Sequence, residues 1–307
     1  VITAFATLAL AAMSFPPAPA DTVRLHRYSA TEASFDVNAY WLESDAGIVL
    51  IDALFLGSDA KLLGEMIWST KKPLKGIILT HPHVDHYGGV AQFRKEFPEA
   101  PVFATPATAA GIQGTHDRGV ANEWLKAFIG DYGGPIRPDS LVPSGTTLTL
   151  AGMHFRLEDL GAGEAENNTI IHNRELNVLF TGDATVAHAP IYFGEGRVAG
   201  IAEGLRTMAA KYPDSMMIYS GHYAPMPLKV LVDANLAQIA AARAVVSRAA
   251  RDTTSFGSDR RLRADVRSRL LAELTALYRP LATYGYTPTL LAEFNLPALV
   301  ADARRPE

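Results

Sequence analysis

Gly76-Ile77-Ile78-Leu79-Thr80-His81-Pro82-His83-Val84-Asp85-His86-Tyr87-Gly88-Gly89 is the stretch on which the reading of this chain turns. Its first five residues are apolar and β-prone, the pattern of a buried strand. Three imidazoles and one carboxylate then fall within the six positions from His81 to His86. Gly88-Gly89 opens a segment in which Val90, Phe93 and Phe97 recur at helical spacing. The implied order is strand, ligand loop, helix. Neutral imidazole and carboxylate oxygen are the usual non-sulfur donors to zinc and related divalent ions. In extended backbone His81 and His83 point the same way, whereas Asp85 and His86 do not share that direction and are free to serve a second ion nearby. The competing reading, a polar surface loop with chance histidines, accounts poorly for four donors at this density.

This stretch resembles the HxHxDH hallmark of the metallo-β-lactamase superfamily. The resemblance continues through Thr181-Gly182-Asp183 and Tyr219-Ser220-Gly221-His222, and covers roughly residues 22 to 225. It implies an α/β fold, the αββα sandwich, and two divalent metal ions, Zn2+ first with Mn2+ or Fe2+ as alternatives. By family position one ion would take His81 and His83, the other Asp85, His86 and His222, with Asp183 between them. Asp85 and Asp183 would then be the catalytic carboxylates, Asp85 handling a proton while hydroxide shared by the ions attacks a carbonyl carbon. The resemblance implies hydrolysis of an ester, lactone or amide, a β-lactam among them.

The chain departs from the family in the loop Leu160-Gly161-Ala162-Gly163-Glu164-Ala165-Glu166. Most relatives place a histidine there in a Gly-x-x-His pattern, where this sequence has Glu164. A glutamate oxygen is an acceptable ligand for zinc, manganese or iron. Glu164 is the expected first-site ligand, with Glu166, an unfilled position or a nearby histidine as alternatives. The exchange lowers the formal charge of the cluster by about one unit, which favours harder ions and weakens polarisation of a carbonyl.

With 307 residues, of which 48% are hydrophobic, the chain can bury the core of one large domain with or without an appendage. A net charge of -4 and no basic run offer nothing to a phosphate backbone, so a small molecule and not nucleic acid is the expected partner. The absence of cysteine rules out disulfides, thiolate ligands, a cysteine nucleophile and a lipid anchor through Cys. Residues 1–20, VITAFATLALAAMSFPPAPA, form an apolar stretch closed by Ala18-Pro19-Ala20. This is a signal-peptide pattern, with cleavage expected after Ala20 and a periplasmic or secreted product. The basic start is missing and the first residue is not Met, which implies residues before Val1. A membrane anchor needs about 20 apolar residues; Pro16, Pro17 and Pro19 shorten the run, so no stable insertion is expected.

Strands are expected around 22–25, 35–42, 47–52, 102–104, 146–150, 154–160, 170–172, 177–180 and 215–219. Helices are expected over 58–68, 106–112, 119–129 and 201–212, with a polar loop at 113–118 and a linker at 131–138. Residues 21–225 form the expected metallo-β-lactamase-fold domain. Residues 226–307 form a helical extension, Ala- and Leu-rich, for which a structural role, pairing with a second copy as a homodimer, or a pocket wall are open. Asp52, at a strand end, either orients a ligating histidine or serves a turn. His154 is expected on a solvent-facing strand and His172 in a structural role. His188 and Tyr192, on an aromatic loop, and His116 are the candidate substrate contacts. The aromatic 190–193 loop and the Tyr-rich 278–286 stretch suggest either an apolar ligand or core filling. Three functions compete: a dinuclear hydrolase, an iron-dependent dioxygenase-like enzyme, and a metal-binding protein without catalysis.

Overall fold

The computed structural model of the chain describes residues 22–128, 130–282 and 285–305. The signal-peptide reading of residues 1–20 therefore lies outside the described residues. Strands β1 (Arg24–Ser29), β2 (Asn38–Ser44) and β3 (Gly47–Ile51) form an antiparallel meander. Helix α1 (Gly57–Ser69) crosses to β4 (Leu74–Ile78), which lies parallel to β3. The single turn α2 (Val84–Tyr87) and α3 (Val90–Glu96) follow. Then come β5 (Val102–Ala104), α4 (Pro106–Ala121) and β6 (Ser140–Leu141), whose strands continue the sheet in parallel.

The second sheet begins with the hairpin β7 (Thr147–Leu150) and β8 (Met153–Gly161), then β9 (Asn168–Asn173) and β10 (Val178–Gly182). Helix α5 (Val198–Lys211) leads to β11 (Met217–Ser220) and β12 (Met226–Pro227). Helices α6 (Leu228–Arg251), α7 (Ala264–Tyr278) and α8 (Pro288–Ala303) close the chain. The strand orders are β1-β2-β3-β4-β5-β6 and β12-β11-β10-β9-β8-β7.

Three apolar layers hold this αββα sandwich together. Between the sheets, Tyr40, Val49, Ile51 and Ile78 meet Phe155, Leu157, Ile171 and Phe180. On the outer face of the first sheet, Leu50 and Ile77 pack with Leu63, Ile67, Val90 and Phe93 from α1 and α3. On the outer face of the second, Leu179 and Ile218 share one buried cluster with Leu205 of α5, Leu231 and Ile239 of α6, Leu274 of α7 and Leu299 of α8. The C-terminal helices are thus part of the fourth layer itself. Helix α6 meets the length and apolarity of a membrane span, yet its buried stripe, including Leu231, Asn235, Ile239, Ala242 and Val246, faces this layer.

Two expectations are corrected. The polar loop at 113–118 is the middle of α4, which starts at an N-cap where Thr105 Oγ1 accepts from the Thr108 N–H, with Pro106 in the first turn. Its glycines hide the helix from a propensity reading. One of them is required by packing, since a Cβ at Gly111 would lie 2.6 Å from Pro82 Cγ in the ligand loop. The 131–138 segment is irregular chain, as a linker would be, but it leads into β6 of the first sheet and so does not join the two halves. Its Asp131 is tied to α1, accepting from the Ser58 N–H at 2.8 Å and from Ser58 Oγ at 2.6 Å.

Candidate metal centre

Several segments that meet at one rim of the sheets contribute to one cluster. β4 ends at the loop carrying Thr80 to His83, and the turn α2 then swings Asp85 and His86 round to the same point. Asp183 follows β10 and His222 follows β11, while Glu164 comes from the loop joining β8 to β9. Two glycines let these ends converge. A Cβ on Gly182, whose φ is +49°, would come within 2.4 Å of Thr80 Oγ1 and 2.8 Å of His81 Nδ1. One on Gly221 would come within 2.1 Å of Asp183 Oδ1 and 2.6 Å of His86 Cε1.

The donors fall into two groups, His81, His83, Glu164 and Asp183 in one and Asp85, His86, Asp183 and His222 in the other, with donor atoms in each group within 4.8 Å of one another. In the first, His83 Nδ1 is 3.1 Å from Glu164 Oε1, and His81 Nε2 is 3.8 Å from Glu164 Oε2 and 3.9 Å from Asp183 Oδ2. In the second, His222 Nε2 is 3.2 Å from Asp183 Oδ2 and 3.5 Å from Asp85 Oδ2, while His86 Nε2 is 3.5 Å from Asp183 Oδ1. Donors about 2.0–2.2 Å from a shared ion stand roughly 3–4 Å apart in tetrahedral geometry, which matches these separations.

Hydrogen bonding gives a second, independent test of fit. Buried polar atoms almost always find partners. Among the described residues, His81 Nε2, His86 Nε2, Glu164 Oε2 and Asp183 Oδ1 are buried without a hydrogen-bond partner and gather in this cluster, whereas the others outside it, His26 Nε2, Trp41 Nε1, Glu96 Oε2 and Asn168 Oδ1, are scattered over the fold. The residues present therefore suit divalent cations. Behind them, Asp52 is 3% exposed and does more than serve a turn: His86 Nδ1 lies 2.8 Å from its Oδ2, and Thr80 donates to it through N–H at 2.8 Å and Oγ1 at 2.7 Å. Thr80 Oγ1 also lies 3.0 Å from His81 Nδ1, so one carboxylate fixes two imidazoles and leaves their Nε2 atoms facing the cluster.

Protein charges alone polarise the cluster strongly. Burial works against charge on Asp85, but the neighbouring His86 and His222 bring its carboxyl down to about 2. Asp183 is likewise opposed by burial and held well below the carboxylate range by His222 and His86. Burial disfavours a charged His222, yet the Asp183 and Asp85 carboxylates raise it to about 10. Burial, partly offset by His83, lifts Glu164 to about 7. His81 is pushed well down by burial and by the charge of His86.

The cluster forms the floor of a cavity of about 690 Å³. Of the three candidate substrate contacts, Tyr192 lines it, its ring centroid 6.2 Å from that of His83. Burial raises the Tyr192 phenol above its usual range, keeping it a neutral donor. His116 instead turns towards Tyr132, whose hydroxyl is 3.2 Å from its Nδ1, because helical spacing on α4 sends it to a different face from Thr115 and Arg118. His188 is exposed in a left-handed turn with φ +59° and does not line the cavity. Glu166 points away from the cluster and pairs with Arg118 at 2.6 Å. Of the two framework histidines, His154 lies beside Glu175 at 2.7 Å and His172 beside Asn177 at 3.1 Å, both away from the site.

The sequence reading missed Glu195 and Arg118. Glu195 Oε1 lies 3.7 Å from His83 Nε2 and accepts from Arg118 Nη2 at 3.1 Å. It also missed the clamps that set the aromatic loop over the cavity. Asn235 of α6 accepts from Val186 N–H and donates to Val186 O, and Gln238 donates to Ala189 O. Asn295 of α8 accepts from Phe193 N–H at 2.7 Å and donates to Ile191 O at 2.8 Å. Amides on otherwise apolar helix faces, Asn235 and Asn295 above all, were the available signal.

The comparisons with known proteins agree with this arrangement. A family model described as the metallo-beta-lactamase superfamily matches residues 34–222, and the chain belongs to that superfamily. A probable metallo-hydrolase of Streptococcus pyogenes is 31% identical over 219 residues, 66% of this chain and 85% of its own length. A hydroxyacylglutathione hydrolase of Yersinia enterocolitica is 27% identical over 191 residues, 62% of this chain and 63% of its own. Among solved structures, a metallo-beta-lactamase family protein of Thermus thermophilus has a TM-score of 0.66 at 18% identity, covering 90% of this chain and 93% of that one, a likeness of fold. Membership makes this chain a metallo-hydrolase in the general sense, with a cluster suited to the divalent metals typical of the superfamily.

Proposed function

We propose that the protein is an exported dinuclear hydrolase that cleaves an ester, lactone or amide, with a β-lactam within reach of the same chemistry. The observation that carries this reading is the pair of buried donor groups sharing Asp183 at the floor of one cavity. Divalent ions, Zn2+ first, supply a lowered pKa for water and polarisation of a carbonyl oxygen. His81, His83 and Glu164 would hold one ion, and Asp85, His86 and His222 the other, with Asp183, common to both groups, available to each. The three carboxylates leave about one net positive charge on two divalent ions, so the cluster is milder than one with an imidazole at position 164.

The protein's own groups supply the remaining steps. Asp85 lines the cavity with an ionised carboxylate, which would orient a water and take its proton. Tyr192, neutral at the wall, donates its O–H to the developing oxyanion. Purified protein loaded with Zn2+ or Mn2+ should hydrolyse members of a panel of chromogenic esters, lactones and a cephalosporin, lose that activity on chelation, and regain it on metal addition. Two ions per chain without turnover of any of these would favour a metal-binding role, and a single iron per chain an oxygenase. Export rests on the 1–20 leader. Mass spectrometry of protein exported by a bacterial host should find Asp21 at the N-terminus; an intact, membrane-bound leader would contradict it.

A further inference from the structure

We infer that the site is built for a neutral, apolar carbonyl substrate, a medium-chain or aromatic acyl ester or lactone, and discriminates against substrates that carry a carboxylate. This rests on the hydrolase reading above and goes on to name its substrate class.

Six aromatic side chains, Phe35, Trp124, Phe128, Tyr192, Tyr286 and Phe294, line the cavity above the metal-binding groups. They form one continuous wall. Phe35 stacks on Tyr286 with centroids 5.1 Å apart and meets Trp124 and Phe128 edge-on at 6.4 and 6.1 Å. Phe294 meets Tyr286 at 5.8 Å and Tyr192 at 6.2 Å. Trp124 and Phe294 stay 38% and 40% exposed, so these two rings are not spent on filling core, while Phe35, Phe128 and Tyr286 also pack against it and hold the wall in place. A concave aromatic surface of this size, standing open beside reactive groups, is a binding surface for apolar matter.

Charge on the wall points the same way. Outside the two metal-binding groups, the charged side chains among the described lining residues are Arg118 and Glu195. Arg118 spends its guanidinium on two carboxylates, Nη1 to Glu166 Oε1 at 2.6 Å and Nη2 to Glu195 Oε1 at 3.1 Å. A carboxylate on the substrate therefore meets no unspent cation on the wall and two acidic groups around the one cation there. Desolvating an anion without a partner is costly, whereas an alkyl chain gains from each methylene buried. Penicillins, cephalosporins and glutathione thioesters all carry carboxylates and fall in the disfavoured class.

The test uses a matched series on the metal-loaded protein: p-nitrophenyl acetate, p-nitrophenyl octanoate, and the mono-p-nitrophenyl ester of octanedioic acid, which carries a carboxylate in place of the terminal methyl of the octanoyl chain. We expect kcat/KM to rise about tenfold or more from acetate to octanoate, and to fall about tenfold or more from octanoate to its carboxylate analogue. Phe294→Ala should compress the octanoate-to-acetate ratio. Glu166→Gln, which removes one of the two carboxylates holding Arg118, should raise the relative rate on the carboxylate analogue. Binding of 2-decanone and of its chain-terminal carboxylate, followed by calorimetry, gives a readout that needs no turnover. Equal or better use of the charged ester overturns the inference, as does tighter binding of the charged ketone. Preferential binding of 2-decanone with no hydrolysis of any ester upholds the apolar cavity and sinks the hydrolase reading instead.

Discussion

The floor of the site and its wall were built by different routes. Four of the floor's seven ligand candidates come from six consecutive residues, His81 to His86, and each remaining one sits just past a strand or in a strand-to-strand loop. The wall draws on Phe35, on α4 and the turn Trp124–Phe128, on the 192–195 loop, and on α8. Metal ligation demands a few oxygen and nitrogen donors at fixed separations, so its chemistry is written in residue type and tight spacing. An apolar wall demands only bulk, which many residues satisfy, and segments far apart in the chain supply it. The floor should therefore respond steeply to single changes and the wall gradually.

The largest effect is expected at Asp183, the residue common to both donor groups. Asp183→Ala should remove metal from both positions and abolish hydrolysis, as read by elemental analysis and assay. If that variant kept a full complement of metal, the two halves of the floor would be independent. Next in size is Glu164. Glu164→Gln trades an anionic donor for a weak neutral one and should cost the first site more than the 10–100-fold typical of changes behind the ligands. Glu164→His should instead shift preference from Mn2+ towards Zn2+. Unchanged affinity and preference across all three proteins would place residue 164 outside the coordination sphere.

Asp52 tests how far the floor extends behind its ligands. Asp52→Asn keeps the shape but removes the charge that orients His86, and metal affinity should fall about 10–100-fold while the fold persists. A wild-type metal isotherm for this variant would reduce Asp52 to a structural group. The smallest effect on metal is expected from the wall's support. Asn295→Ala leaves the Phe193 N–H and Ile191 carbonyl without their partner. It should destabilise the protein by roughly 1–3 kcal/mol in denaturant unfolding, with metal content unchanged. Loss of metal in that variant would show that floor and wall are one cooperative unit.

What was legible in the sequence follows the same division. The ligand loop, Asp183 and His222 could be placed because apolar strands run straight into them, and the αββα order followed from that resemblance. Helices α6 to α8 were legible as helices from their periodicity. Their membership in the fourth layer was not, since contact with Leu179 and Ile218 depends on long-range packing. The glycines of α4 masked a helix, and with it Arg118 as a wall residue. His116 reads as a substrate contact because its segment reads as a polar loop, and His188 because it lies on the aromatic loop. Helical phase turns the first aside, and a left-handed turn leaves the second in solvent.

The central claim is that one cluster holds two ions through a shared Asp183. The most direct measurement is the metal stoichiometry of purified protein titrated with Zn2+ after exhaustive chelation, followed by calorimetry and elemental analysis. The account predicts two ions per chain, with proton release on loading because His222 is held protonated by its acidic neighbours. Saturation at one ion per chain, or no binding above that of the Asp183→Ala variant, would contradict it.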